Sequence, residues 1–170
     1  SLESKHTTSA YLNRGTIYHD LSMYNKAIAD YNKIISIGKG NIAAAYFNRG
    51  NAKSMLEDFS GAMKDYDKAI ELDDKYVGAY YRRCVLKIDY TNDFKGAIQD
   101  ITKVISFDPF LASAYRLRGV AKRAINDYRG AIDDFGKAIE LEPNSPYAYN
   151  GRAEAKYKLH LIEEACLDWS

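Results

Sequence analysis

Apolar residues recur along this chain at helical spacing, interrupted at regular intervals by short polar breaks. Ala45, Tyr46, Phe47, Met55 and Leu56 precede Glu57-Asp58, and Phe59, Ala62, Met63, Tyr66, Ala69, Ile70 and Leu72 follow it. Steps of three, four and seven in both halves mark two amphipathic helices. A break of two or three residues folds them back as an antiparallel hairpin. Asp73-Asp74-Lys75, Asp108-Pro109 and Glu142-Pro143 end the second helices of successive hairpins. The pattern predicts helices over about 8–21, 24–37, 43–56, 59–72, 77–90, 94–107, 112–125, 128–141, 146–159 and 162–170.

The hairpins repeat. Tyr11, Tyr46, Tyr80, Tyr115 and Tyr149 each follow an alanine, and Ala27, Ala62, Ala97, Ala131 and Ala165 come sixteen or seventeen residues later. Four residues after each tyrosine stands a small residue: Gly15, Gly50, Cys84, Gly119 or Ala153. A mid-helix glycine costs about 1 kcal/mol relative to alanine, so its recurrence calls for a close helix–helix approach. Tyr31, Tyr66, Ile101, Phe135 and Trp169, four residues after the second alanine, fill the wider gaps. A period of 34–35 residues means stacked units that bury their faces against their neighbours.

The aromatic, the small residue, the alanine, the second aromatic and the terminal proline resemble the tetratricopeptide repeat over residues 8–170. That resemblance implies an all-α, right-handed superhelical solenoid of antiparallel helix pairs, with about four and a half to five repeats. The expected organisation is a lead-in over 1–7, then repeats over 8–42, 43–76, 77–111, 112–145 and 146–170, forming one solenoid domain. The fifth repeat is expected to have a truncated second helix, as in a piece of a longer chain, with an open apolar edge suited to self-association.

The chain departs from the usual family pattern at one position, giving a Tyr-x-x-Arg-Gly signature. Three residues after each repeat tyrosine, where the family usually has an apolar residue, stand Arg14, Arg49, Arg83, Arg118 and Arg152. Each repeat also carries an aspartate three residues after its second alanine: Asp30, Asp65, Asp100, Asp134 and Asp168. Five matched charges point to a ladder of structural ion pairs, within a repeat or between repeats, for which arginine's planar fork is well shaped.

Positions that vary between repeats are free to recognise a partner. In the family, first helices line the concave face. The stripe one, five and eight residues after each tyrosine begins with Leu12, Thr16 and His19, then Phe47, Asn51 and Ser54. It continues through Tyr81, Val85 and Ile88 to Arg116, Val120 and Arg123, and ends at Asn150, Glu154 and Tyr157. Its centre is apolar with a basic margin, and Asn13, Asn48 and Arg82 lie one position further on. This suits a peptide that carries apolar side chains beside acidic ones. Inter-repeat packing is the competing role for Phe47, Tyr81 and Ile88. Some family members grip acidic chaperone tails with a five-residue clamp. Here Asn48 and Arg82 match it, but Leu12, Thr16 and Gly78 occupy the other positions, and a start in the second repeat leaves only Asn51. A chaperone-tail clamp is therefore not expected.

Net charge is +1, which gives no electrostatic footprint for nucleic acid or an anionic membrane. No apolar run approaches the roughly 20 residues of a membrane span. Cys84 and Cys166 form no metal-ligand spacing, and His6, His19 and His160 are scattered. The expectation is a non-catalytic scaffold for a protein or peptide partner, with no cofactor and no metal. A cytoplasmic location is favoured, a removed leader aside. The alternative is a self-associating or spacer module of a larger protein, with RNA binding a distant third.

Overall fold

The computed structural model describes residues 2–170, with side chains from Thr7 onward. Among these residues there are ten α-helices, one π-helical turn and no strand. The first four helices are α1 (Leu2–Asp20), α2 (Tyr24–Ile37), α3 (Ile42–Met55) and α4 (Phe59–Leu72). They are followed by α5 (Val77–Leu86) and α6 (Phe94–Phe107), with the π-helical turn Lys87–Thr91 between them. The last four are α7 (Ala112–Ala124), α8 (Tyr128–Leu141), α9 (Pro146–Lys158) and α10 (Ile162–Trp169). The chain forms two compact units, the first ending at Arg82 and the second beginning at Arg83.

In the first unit, α1 packs on α2, α2 on α3 and α3 on α4. Its core gathers Ala27, Tyr31, Ile34, Ala45 and Ala52, with Tyr11, Tyr18, Tyr24 and Ile28 packed around them. In the second unit, α6 packs on α7, and each helix from α7 to α10 on the next. Ala131, Phe135, Ala138, Ala148 and Ala155 form a core there, flanked by Tyr115, Tyr128 and Ile132. The small residues act where the helices come closest. A Cβ on Gly50 would lie 2.7 Å from the Tyr66 ring, and one on Gly151 would lie 2.5 Å from Phe135. At the equivalent step of the third hairpin the buried side chain is Ile101 and the small residue is Cys84, both fully buried.

Hairpin turns use one left-handed residue each: Ser22, Glu57, Asn92, Asn126 and His160, with φ between 53° and 64°. At the second turn the Glu57 amide donates to the Ser54 carbonyl and the Asp58 amide to that of Lys53, a Schellman closure. Asp58 then caps α4 by accepting from the Gly61 amide at 2.9 Å. Asp93 and Asp127 cap α6 and α8 in the same way.

Two boundaries differ from the sequence reading. Helix α1 begins at Leu2 rather than at 8, because residues 2–8 contain no glycine or proline to stop it. Of the expected lead-in, residue 1 and the side chains of residues 2–6 lie outside the described residues. The helix expected over 77–90 ends at Leu86 and continues as the π-helical turn. The third repeat has seventeen residues from tyrosine to alanine where the others have sixteen. The π turn absorbs the extra residue and keeps Arg83 opposite Asp100.

Candidate functional site

The first helix of each hairpin carries two kinds of side chain. One set is fixed in the hairpin interior. Arg49 on α3 makes a bidentate contact with Asp65 on α4, Nε to Oδ2 at 2.9 Å and Nη2 to Oδ1 at 2.6 Å. Arg14–Asp30, Arg83–Asp100, Arg118–Asp134 and Arg152–Asp168 repeat this geometry. The aspartate side chains are almost completely buried. The four later arginines are mostly buried too, whereas Arg14 is 55% exposed. Each carboxylate joins the two helices of one hairpin. Arg49 and Arg118 also reach back to the preceding helix: Arg49 donates to Asn32 at 2.6 Å, and Arg118 to Thr102 at 3.4 Å.

A third member was missed by sequence reasoning. Lys53, Lys87, Lys122 and Lys156 each place Nζ 2.8–2.9 Å from the same carboxylate that holds the arginine. The signal was present, since lysine recurs seven residues after four of the tyrosines, but Tyr18 replaces it in the first repeat. The repeat tyrosine also gains a role. The guanidinium of Arg14, Arg49, Arg118 or Arg152 lies 5.1–5.5 Å from the ring centroid of Tyr11, Tyr46, Tyr115 or Tyr149 respectively. Hydrogen bonding to the aspartates raises the pKa of Arg118 and Arg152. Burial pushes the Asp168 carboxyl up, but the hydrogen bonds from Arg152 and Lys156 outweigh it and hold it below its ordinary value.

The second set is the variable stripe, and the structure divides it. In the first unit Leu12 packs on the core, and the Thr16 hydroxyl donates to the Leu12 carbonyl at 3.0 Å. Phe47 lies 5.0 Å from the Tyr76 ring and against Gly78, so most of its surface is spent inside the unit. Asn51 accepts from the Tyr66 hydroxyl at 2.9 Å, and burial pushes that phenol up to about 12. Asn13 and Arg82 are exposed, and Asn48 and Tyr81 are half-buried. In the second unit Val85 and Ile88 are half-buried, and Val120 rests on the core. Arg116 sits 5.9 Å over the ring of Tyr147, which is 77% exposed. Arg123 is ion-paired with Glu154. Among the described residues, no group of three or more His, Cys, Asp or Glu side chains is arranged to hold a metal, and no helix is long and apolar enough to cross a membrane.

The chain is similar in fold to several solved structures. MamA from Desulfovibrio magneticus RS-1, residues 41 to the end, superposes with a TM-score of 0.88 at 20% identity, covering 96% of this chain and 91% of that one. A second structure titled as MamA protein gives 0.88 at 21% identity, over 96% and 88% of the two chains. A double mutant of the RS-1 protein gives 0.88 at 18% identity, over 96% and 90%. No curated protein matches by sequence. A family model described as tetratricopeptide repeat matches residues 8–41 and 43–76, and one described as TPR repeat matches residues 121–159. Those matches fall on the helix hairpins described above, and the chain belongs to the tetratricopeptide-repeat family.

Proposed function

We propose that the chain is a non-catalytic interaction scaffold whose first helices bind a peptide combining apolar or aromatic side chains with acidic ones. Family membership supports the scaffold role in general. The observation that carries the finer reading is how the cations are distributed. The ladder cations are occupied by buried aspartates, whereas Arg82 and Arg116 hold no carboxylate among the described residues. Arg82 follows half-buried Tyr81 directly in sequence and comes shortly before the apolar Val85 and Ile88, and Arg116 lies over the exposed ring of Tyr147. Asn13, Asn48 and Arg82 are the groups assigned to the peptide backbone or its carboxylates, and Arg116 to an acidic side chain. Leu12, Thr16, Phe47, Asn51, Val120 and Arg123, part of the same stripe, are assigned to shaping the contact face, because each already has a partner within its own unit.

The proposed repeat boundaries are 8–42, 43–76, 77–111, 112–145 and 146–170, and the Tyr-x-x-Arg-Gly signature is read as a variant of the family pattern. A cytoplasmic location fits two cysteines that remain free thiols. Rigid helices suit this work because little ordering entropy is lost when a peptide docks. Micromolar affinity, about −8 kcal/mol, is expected. The test is capture of an acidic, aromatic peptide by the wild type and by Tyr81→Ala/Arg116→Ala. The double variant should keep its helical circular dichroism and lose capture. Undiminished capture would overturn the proposal. A partner that proves to be RNA, with binding that falls steeply with salt, would overturn it too.

A further inference from the structure

The second unit contains a cavity of about 310 Å³ lined by Arg123, Tyr128, Glu154, Tyr157, Lys158 and Trp169. Ligand pockets commonly run from about 300 to 1,000 Å³, so this one suits a single large side chain. Its aromatic wall is held in place. Trp169 donates from Nε1 to Oδ1 of the Asn150 side chain at 3.1 Å, and its ring lies 6.3 Å from that of Tyr157. The adjacent Asp168 is locked by Arg152 and Lys156.

The charges select the ligand. Three rings with a carboxylate could in principle cage a quaternary ammonium. Here Glu154 is already neutralised by Arg123, whereas Lys158 is exposed and makes no ion pair among the described residues. The lining is therefore three aromatic rings and a self-neutralised Arg123–Glu154 pair, with one uncompensated positive charge on Lys158. We propose that this cavity receives a large apolar side chain from a peptide, with a neighbouring carboxylate of that peptide resting on Lys158. The inference rests on the peptide-binding reading above and adds a specificity pocket made by α7, α8, α9 and α10. Tyr128, Tyr157 and Trp169 form its wall, and Lys158 reads the charge.

Trp169 is the only tryptophan in the chain, so its fluorescence reports on this cavity. The probes are acetyl-Asp-Phe-Asp-amide and its neutral counterpart acetyl-Asn-Phe-Asn-amide, with binding followed in parallel by calorimetry. The acidic peptide should give a saturable change in Trp169 emission, and the neutral one a markedly weaker response. Lys158→Gln should weaken the acidic peptide about fivefold, the scale of one exposed ion pair, and leave the neutral peptide unchanged. Tyr157→Ala should weaken both. Calorimetric binding with a silent Trp169 and no effect of Lys158→Gln would overturn the pocket while leaving the first-helix proposal standing. No response to the acidic peptide by either method would also overturn the pocket. The first-helix proposal is judged separately, by Tyr81→Ala/Arg116→Ala.

Discussion

Removing the carboxylate of Asp65 tests the charge ladder at its best-defined rung. Asp65 accepts two hydrogen bonds from Arg49 at 2.9 and 2.6 Å, and Nζ of Lys53 lies 2.8 Å from it. Its side chain is 4% exposed, that of Arg49 17% and that of Lys53 21%. Asp65→Ala therefore strands two mostly buried cations. Loss of one partner from such a cluster costs about 3–5 kcal/mol. The whole stability of a domain is commonly only about 5–15 kcal/mol, so the variant should unfold at far lower urea. The assay is urea unfolding followed by circular dichroism, in a cycle of Asp65→Ala, Arg49→Ala and the double variant. The double should lose less than the sum of the singles, because Arg49 is then no longer stranded and Lys53 is the one cation left without its carboxylate. Asp30→Ala should lose less than Asp65→Ala, since Arg14 is half in solvent and Tyr18 stands where the other repeats have lysine. Additive losses, or equal losses at Asp30 and Asp65, would refute the ladder as a cooperative buried cluster.

Glu57 adopts a left-handed conformation with φ of 62°, where asparagine is better tolerated, as at Asn92 and Asn126. Glu57→Asn should raise stability by about 1 kcal/mol, and a lowered thermal midpoint would contradict the turn assignment. Cys84 is fully buried and burial pushes its thiol up to about 12, while Cys166 is exposed. A thiol-reactive chromophore at pH 8 should thus titrate one cysteine in the native protein and two after denaturation; two fast equivalents in the native state would contradict the packing. The pKa of Asp168 is lower folded than unfolded, so it stabilises α10 at pH above the ordinary carboxylate value, near 3.9. That contribution is lost as pH falls through the folded value, and Trp169 emission should shift in that acid range and not between pH 5 and 8.

Much of the scaffold was legible in the sequence because its causes are local and repeated. The steps of three and four set the helices, and the recurring glycine opposite an aromatic set the close packing of Gly50 on Tyr66. The π turn was not foreseen. One added residue can be absorbed in a loop or in a helix, and only packing that keeps Arg83 on Asp100 decides which. The lysines were overlooked because one aspartate appeared satisfied by one arginine, whereas a carboxylate has room for both. The stripe was the least legible part. Spacing gives Phe47, Asn51 and Arg123 equivalent stripe positions on their own helices, but it does not reveal that Tyr76, Tyr66 and Glu154 already engage them.

The most direct test of the peptide-binding account is an amide NMR titration with an acidic, aromatic peptide. The account predicts saturable shifts concentrated on α1, α3, α5, α7 and α9, strongest around Tyr81, Arg82 and Arg116. Shifts confined to the second helices α2, α4, α6 and α8, or none at all at millimolar peptide, would contradict it.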